Sequence, residues 1–317
     1  MKTEISGGMY TRKKSRLKAT WVSVKKTKFL HFLILPGIIY FIIFMYVPIY
    51  GITIAFKDFD FRAGIMGSPW VGLEHFIKFF SYQESWNIIK NTFLLSLYNH
   101  FWTFFPPIIL ALFLNEVSSR KYKSFVQTVS YLPHFISSVA VVGMVTLLLA
   151  PQGGFVNEII EKLGGQSIYF LAEKRWFRSI YVITSVWQTT GWSAIIYIAA
   201  LSGVDSELYE AASIDGATRL QKMIHVSIPC IKETIILLLI MNIGKMMNAS
   251  TDKVLLLQQP ITYDVSDVIG TYIYRRGLVQ ADYSYSTAVG LFNTAINLVL
   301  VLGTNFISKK YSEVSLF

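Results

Sequence analysis

Long apolar stretches alternate with short polar ones along most of this chain. Runs near Phe29–Tyr50, Asn91–Asn115, Phe125–Ala150, Ser179–Leu201, Pro229–Leu255 and Tyr285–Phe306 each offer at least the roughly 20 residues an α-helix needs to cross a bilayer. The pattern predicts an all-α integral membrane protein with about six transmembrane helices. The stretch from Phe29 to Phe56 holds no Asp, Glu, Lys or Arg and no small-residue cleavage site. It exceeds the apolar core of about 7–15 residues in a signal peptide, so it reads as a retained anchor. The expected organisation is a basic tail (1–28), a first anchor (29–56), an extracytoplasmic loop (57–90), a membrane core (91–306) and a short C-terminal tail (307–317).

Proline marks where these helices should bend. Pro36 and Pro48 fall in the first span, Pro106 and Pro107 in the second and Pro133 in the third, each removing a backbone donor. A static bundle would tolerate them as well as a transporter would. No repeat of 20 to 50 residues and no low-complexity segment is visible.

Composition agrees with the pattern: of 317 residues, 53% are hydrophobic and 15% charged, with mean hydropathy +0.47, against about 25% charged in a soluble chain. The net charge of +10 could suggest nucleic acid, but Arg12, Lys13, Lys14, Arg16, Lys18, Lys25, Lys26 and Lys28 concentrate it before the first span. Such a cluster holds a terminus in the cytoplasm. Arg120, Lys121 and Lys123, then Arg219 and Lys222, then Lys309 and Lys310 fall on that same side, so both termini are expected there. Lys57, Arg62 and Lys78 fall opposite among Asp58, Asp60, Glu74 and Glu84, while Lys174, Arg175 and Arg178 are a second exception. Cys230 is the sole cysteine and reads as a packing residue.

The chemistry with the most structure in it lies between spans four and five, in residues 205–229. Asp205 or Ser206 can cap a short helix whose positive end suits Glu207 and Glu210, and Ala211 and Ala212 extend it. Gly216 supplies a turn. On a second helix Leu220, Met223 and Ile224 recur at spacings of three and four, with Arg219, Gln221 and Lys222 facing elsewhere. The expectation is an amphipathic pair lying along the membrane, fit for a cleft on a cytoplasmic protein or for rest on lipid.

Glu210-Ala211-Ala212, Gly216 three residues after Ser213, and the closing Val226-Ser227-Ile228-Pro229 resemble the EAA signature of permeases in bacterial ABC importers of type I. Tyr131 to Ser137, Trp187 to Trp192 and Tyr209 to Ala217 resemble the polysaccharide and complex-oligosaccharide branch. The resemblance runs from the first span to the C-terminus. It implies a second permease subunit, two ATPase subunits that bind ATP and Mg, and an extracytoplasmic binding protein that delivers an oligosaccharide. It also implies that Glu210 meets a basic group on the ATPase and that Gly216 shapes the docking turn, with Ala211, Ala212, Asp215 and Pro229 completing the contact. Ile228 stands where leucine is more usual. The chain itself has no phosphate-binding loop: its one Gly-Lys pair, Gly244-Lys245, precedes Met246 in an apolar segment. It is therefore expected not to be an enzyme and to bind no cofactor.

For the cargo, Lys245 falls near the midplane of span five, where a charge is costly and functional by default. Asn242 and Asn248 lie near it on a broadly shared face. Related permeases often carry an arginine near the position of Asn242 and an asparagine near that of Lys245, so the charge is displaced here. A cavity-facing Lys245 would favour carboxylate-bearing sugars; a pair with a carboxylate of the second permease is the competing reading. Asn293 and Asn297 share a face in span six and suit either a hydroxylated substrate or helix-to-helix bonding. In span four Gln188 and Trp192, four apart, align for a sugar or for packing, whereas Trp187 does not share their face; Tyr197 adds another ring. His134 lacks a second ligand, so no metal site is expected. The alternatives in function are an ATP-independent carrier or channel, a permease for a non-sugar solute, and a structural membrane subunit.

Overall fold

The computed structural model describes residues 27–244, 246–247 and 249–311. The N-terminal basic cluster up to Lys26, and also Lys245 and Asn248, lie outside the described residues. The described chain is helical, with no strand beyond one isolated bridge between Lys57 and Trp70. It divides into two compact units, one holding the first span to Ile54 together with Phe59–Ser68, the other Ala55–Asp58 and the residues from Pro69 onward.

The first unit is dominated by α1 (Lys28–Phe56, its last two residues belonging to the second unit), whose large apolar side chains from Phe29 to Ile52 are exposed all round. A helix apolar on every face belongs in hydrocarbon rather than water. Pro36 is accommodated inside it, and a π-turn at Ile42–Tyr46 precedes Pro48. Widening the backbone ladder there absorbs the donor that Pro48 lacks.

In the second unit, α2 (Glu74–Ser81) leads into α3 (Gln83–Glu116), which continues unbroken through Pro106 and Pro107. Next come α4 (Arg120–Tyr131) and α5 (Ser138–Leu148), bent 99° apart about a 3-10 turn holding Pro133. After α6 (Phe155–Lys162) the long α7 (Lys174–Ser202) runs along α3. Then α8 (Ser206–Ile214) and α9 (Arg219–Lys222) form the expected pair, a π-turn at Met223–Ser227 follows, and a 64° bend separates that segment from α10 (Lys232–Ile243). A short α11 (Thr251–Leu257), α12 (Ile269–Ile273) and the long α13 (Tyr283–Tyr311) complete the chain.

Among the described residues three helices, α1, α3 and α13, are long and apolar enough to cross a membrane, or up to five spans if each bent pair is one. The 29-residue α7 has the length of a span, but Thr184, Ser185, Gln188, Thr189 and Thr190 dilute its apolar character. The expected span Phe125–Ala150 is broken at Pro133, and Pro229–Leu255 is interrupted after Ile243, with α11 packing as a separate piece on α5 and α7.

Three apolar clusters hold this unit together. At one end of α7, Phe177, Ile180, Tyr181 and Val182 pack with Leu95, Val142, Val254 and Leu257. At its other end, Ala194, Tyr197 and Leu201 pack with Ile108, Ala111, Leu112, Met223 and Ile231. The third joins Phe79 and Ile88 to Ile269, Tyr272, Tyr285 and Val289. Gly191 lets α4 approach α7 at van der Waals range: a Cβ there would sit 2.0 Å from the Ser130 carbonyl oxygen.

Candidate functional site: the Asp205–Pro229 loop and the polar stripe of α7

The loop is folded by its own local signals. Asp205 caps α8 by accepting from the Glu207 N–H at 3.0 Å. The helix ends with Gly216 at φ +77°, the Ala217 N–H donating to Ala212 O at 2.9 Å and the Gly216 N–H to Ser213 O at 3.1 Å. This is a Schellman ending, whose left-handed position favours glycine. Two residues on, Thr218 and Gln221 form a capping box: the Thr218 N–H donates to Gln221 Oε1 at 2.8 Å and the Gln221 N–H to Thr218 Oγ1 at 3.4 Å. Lys222 Nζ donates to Ser213 Oγ at 2.6 Å and locks the second helix onto the first.

The pair is tied into the bundle by a buried polar contact. Tyr209 Oη lies 2.9 Å from Oγ of the fully buried Ser227, and Asn115 Nδ2 at the end of α3 donates to the same Tyr209 Oη at 3.4 Å. Met223 inserts between α3 and α7. Glu210, Ala211, Asp215, Gly216 and Pro229 are exposed and Ala212 is half-buried. The expected apolar face of the second helix divides: Met223 is buried while Leu220 and Ile224 are exposed. The regular α-helical ladder ends at Lys222, and a π-turn begins at Met223 itself. With Leu208 and Ile214, the latter 87% exposed, the loop offers an apolar surface set around Glu210.

The candidates farther inside are less uniform. Gln188 and Trp192 do share a face of α7, and both turn to the elbow between α4 and α5. Gln188 Nε2 donates to Ile136 O at 3.0 Å, and Trp192 stacks on His134 with ring centres 4.6 Å apart and planes within 4°. Trp187 instead lines a cavity of about 700 Å³ with Tyr98, Trp102, Arg178 and Val186. Tyr197 is core. Asn242 is half-buried at the end of α10, and Asn293 is half-buried in α13. Asn297 Oδ1 accepts from the Met247 N–H at 3.1 Å, which bonds α13 to the interruption after α10. No cluster of His, Cys, Asp and Glu that could hold a metal occurs among the described residues.

Two residues that sequence reasoning passed over join the same stripe. Tyr181 and Ser185 precede Gln188 and Trp192 at spacings of four, three and four, and the buried Lys253 of α11 sits on them. A third cation inside the run assigned to span five, after Lys232 and Lys245, was the available signal.

Membrane helices broken at Pro133 and after Ile243, with a capped helix pair exposed between them, define a transport permease. The chain belongs to the family described as the binding-protein-dependent transport system inner membrane component, whose sequence model matches residues 104–313. It is 45% identical over 306 residues to the polygalacturonan/rhamnogalacturonan transport system permease protein YteP of Bacillus subtilis, covering 96% of this chain and 95% of that one. Protein LplB of the same organism is 41% identical, covering 94% of each chain. Among solved structures, a bacterial ABC transporter involved in the import of the acidic polysaccharide alginate superposes with TM-score 0.86 at 41% identity, covering 92% of this chain and 99% of that one. A second structure of an alginate ABC transporter, in complex with its alginate pentasaccharide-bound periplasmic protein, gives TM-score 0.86 at 40% identity, covering 93% and 99%.

Proposed function

We propose that this chain is one permease subunit of an ATP-driven importer that passes oligosaccharides, acidic ones in particular, across the bacterial cytoplasmic membrane. In this reading a second permease subunit completes the pathway, two ATPase subunits bind ATP and Mg, and an extracytoplasmic binding protein delivers the sugar. Both termini and the Asp205–Pro229 loop lie in the cytoplasm.

The observation that carries the reading is the loop itself. Its shape is fixed by bonds internal to the loop, a Schellman ending, a capping box and the Lys222–Ser213 bond, yet it exposes Leu208, Ile214, Leu220 and Ile224 around Glu210. An exposed apolar surface on a rigid frame marks a docking site. The Tyr209–Ser227–Asn115 contact and Met223 connect it to α3 and α7, so displacement of the loop reaches the spans. The acidic cargo is supported by relatives named for polygalacturonan and alginate, both polymers of uronates.

Co-purification from membranes tests it. The intact chain is expected to bring down an ATPase, and Glu210→Lys with Gly216→Pro is expected to lose it while the permease remains in the membrane. Uptake that persists with the ATPase absent would point to an ATP-independent carrier instead. Lys245, as a candidate for reading substrate charge, is addressed by Lys245→Gln: equal uptake of acidic and neutral oligosaccharides by that variant removes it from the pathway.

A further inference from the structure

Lys253 is 4% exposed and stands third in α11, after Thr251 and Asp252. Burying a cation is costly unless it is paired, and the first turn of a helix is its positive end. Yet among the described residues no carboxylate forms an ion pair with it, and the adjacent Asp252 is exposed. Its Nζ donates to Ser185 Oγ at 3.1 Å and lies 5.8 Å from the centre of the Tyr181 ring. The same Tyr181 accepts the Ser250 N–H at 3.0 Å, so one ring fixes both the start of α11 and its charge. Val254 and Leu257 pack beside it against Leu95 and Phe177. The seat therefore holds the ammonium by neutral contacts in an apolar wall, on the same stripe of α7 as Gln188 and Trp192.

We propose that Lys253 is a specificity-determining residue that reads the carboxylates of an acidic oligosaccharide, the cargo supplying the counter-ion that none of the described residues provides. This rests on the acidic-sugar reading above. A charge-assisted hydrogen bond is roughly twice as strong as a neutral one, so a uronate outcompetes the Ser185 hydroxyl once α11 parts from α7. A polyhydroxylated neutral sugar gains no such advantage.

The test uses the whole complex in liposomes with one binding protein throughout, and compares uptake of tetragalacturonate with that of its half-methyl-esterified form. Lys253→Gln is expected to slow tetragalacturonate about tenfold, and the esterified form by a smaller factor. Ser185→Asp is the second variant. It supplies an internal carboxylate that neutralises the buried charge, so the complex should assemble, and it should suppress the fully acidic substrate selectively by holding the ammonium. If either variant assembles and slows both substrates by the same factor, or leaves tetragalacturonate at the wild-type rate, the inference is overturned while the acidic-sugar reading stands. A wild-type complex that imports neutral oligosaccharides but not galacturonates overturns both.

Discussion

The Asp205–Pro229 loop and the seat of Lys253 are both polar, and they are assembled in opposite ways. In the loop, Asp205 holds Glu207, Ala217 reaches back to Ala212, Thr218 exchanges bonds with Gln221 and Lys222 returns to Ser213, all within nine residues in sequence. Among the polar contacts of the described loop, those of Tyr209 with Ser227 and Asn115 reach beyond the pair of helices, beside the apolar contact of Met223. The seat joins α11 to α7 across 68 residues and exists only because both helices are already packed. Local capping gives an exposed frame with a stable shape; long-range packing gives a buried charge whose environment changes whenever the helices move. The first suits transmission of force and the second suits response to a passing ligand.

That contrast can be broken most forcefully on the long-range side. Gly191→Ala drives a methyl into the Ser130 carbonyl, a clash with backbone that cannot rotate away. A loss of about 3 kcal/mol, at the upper end for overpacking, is expected in thermal or denaturant unfolding of the solubilised protein. An unchanged melting temperature would mean that α4 and α7 do not pack so closely.

A smaller effect is expected at the joint between the two kinds of construction. Tyr209→Phe leaves the buried Ser227 hydroxyl without its partner, at about 1–2 kcal/mol. Substrate-stimulated ATP hydrolysis by the complex should fall by more than this loss of stability explains, because the frame loses its polar tether. Equal hydrolysis would show that Met223 alone carries the connection. The smallest effect should come from within the loop: Thr218→Ala removes half of the capping box, about 1 kcal/mol or less, and transport at saturating substrate should stay close to wild type.

The same contrast explains what was legible in the sequence. The cap of α8, the glycine turn and the break at Pro133 are written in adjacent residues, and each appears where the local pattern puts it; the capping box of α9 is as local but is first seen in the structure. Spacing groups Met223 with Leu220 and Ile224, but only Met223 is buried, because burial here is set by contact with α3 and α7 rather than by local pattern. The interruption after Ile243 coincides with Gly244 and with the polar stretch from Asn248 to Lys253, local signals that the reading of one continuous span passes over. Gln188 and Trp192 were placed correctly on one face, but what that face touches, the His134–Ile136 elbow, depends on a bend more than fifty residues earlier. Lys253 could be seen as a charge; its contacts with Tyr181 and Ser185 could not.

One property of the loop bears on descent. The side chains that hold its shape are Asp205, Tyr209, Ser213, Thr218, Gln221, Lys222 and Ser227, whereas those it shows to the outside are Leu208, Glu210, Ile214, Leu220 and Ile224. The frame is not hidden, since Asp205, Ser213, Thr218 and Gln221 are exposed as well, but none of the five outward side chains makes one of its bonds. Substitution at those five positions therefore leaves the bonds of the frame in place, so the surface of the loop can diverge in a lineage while its fold is inherited.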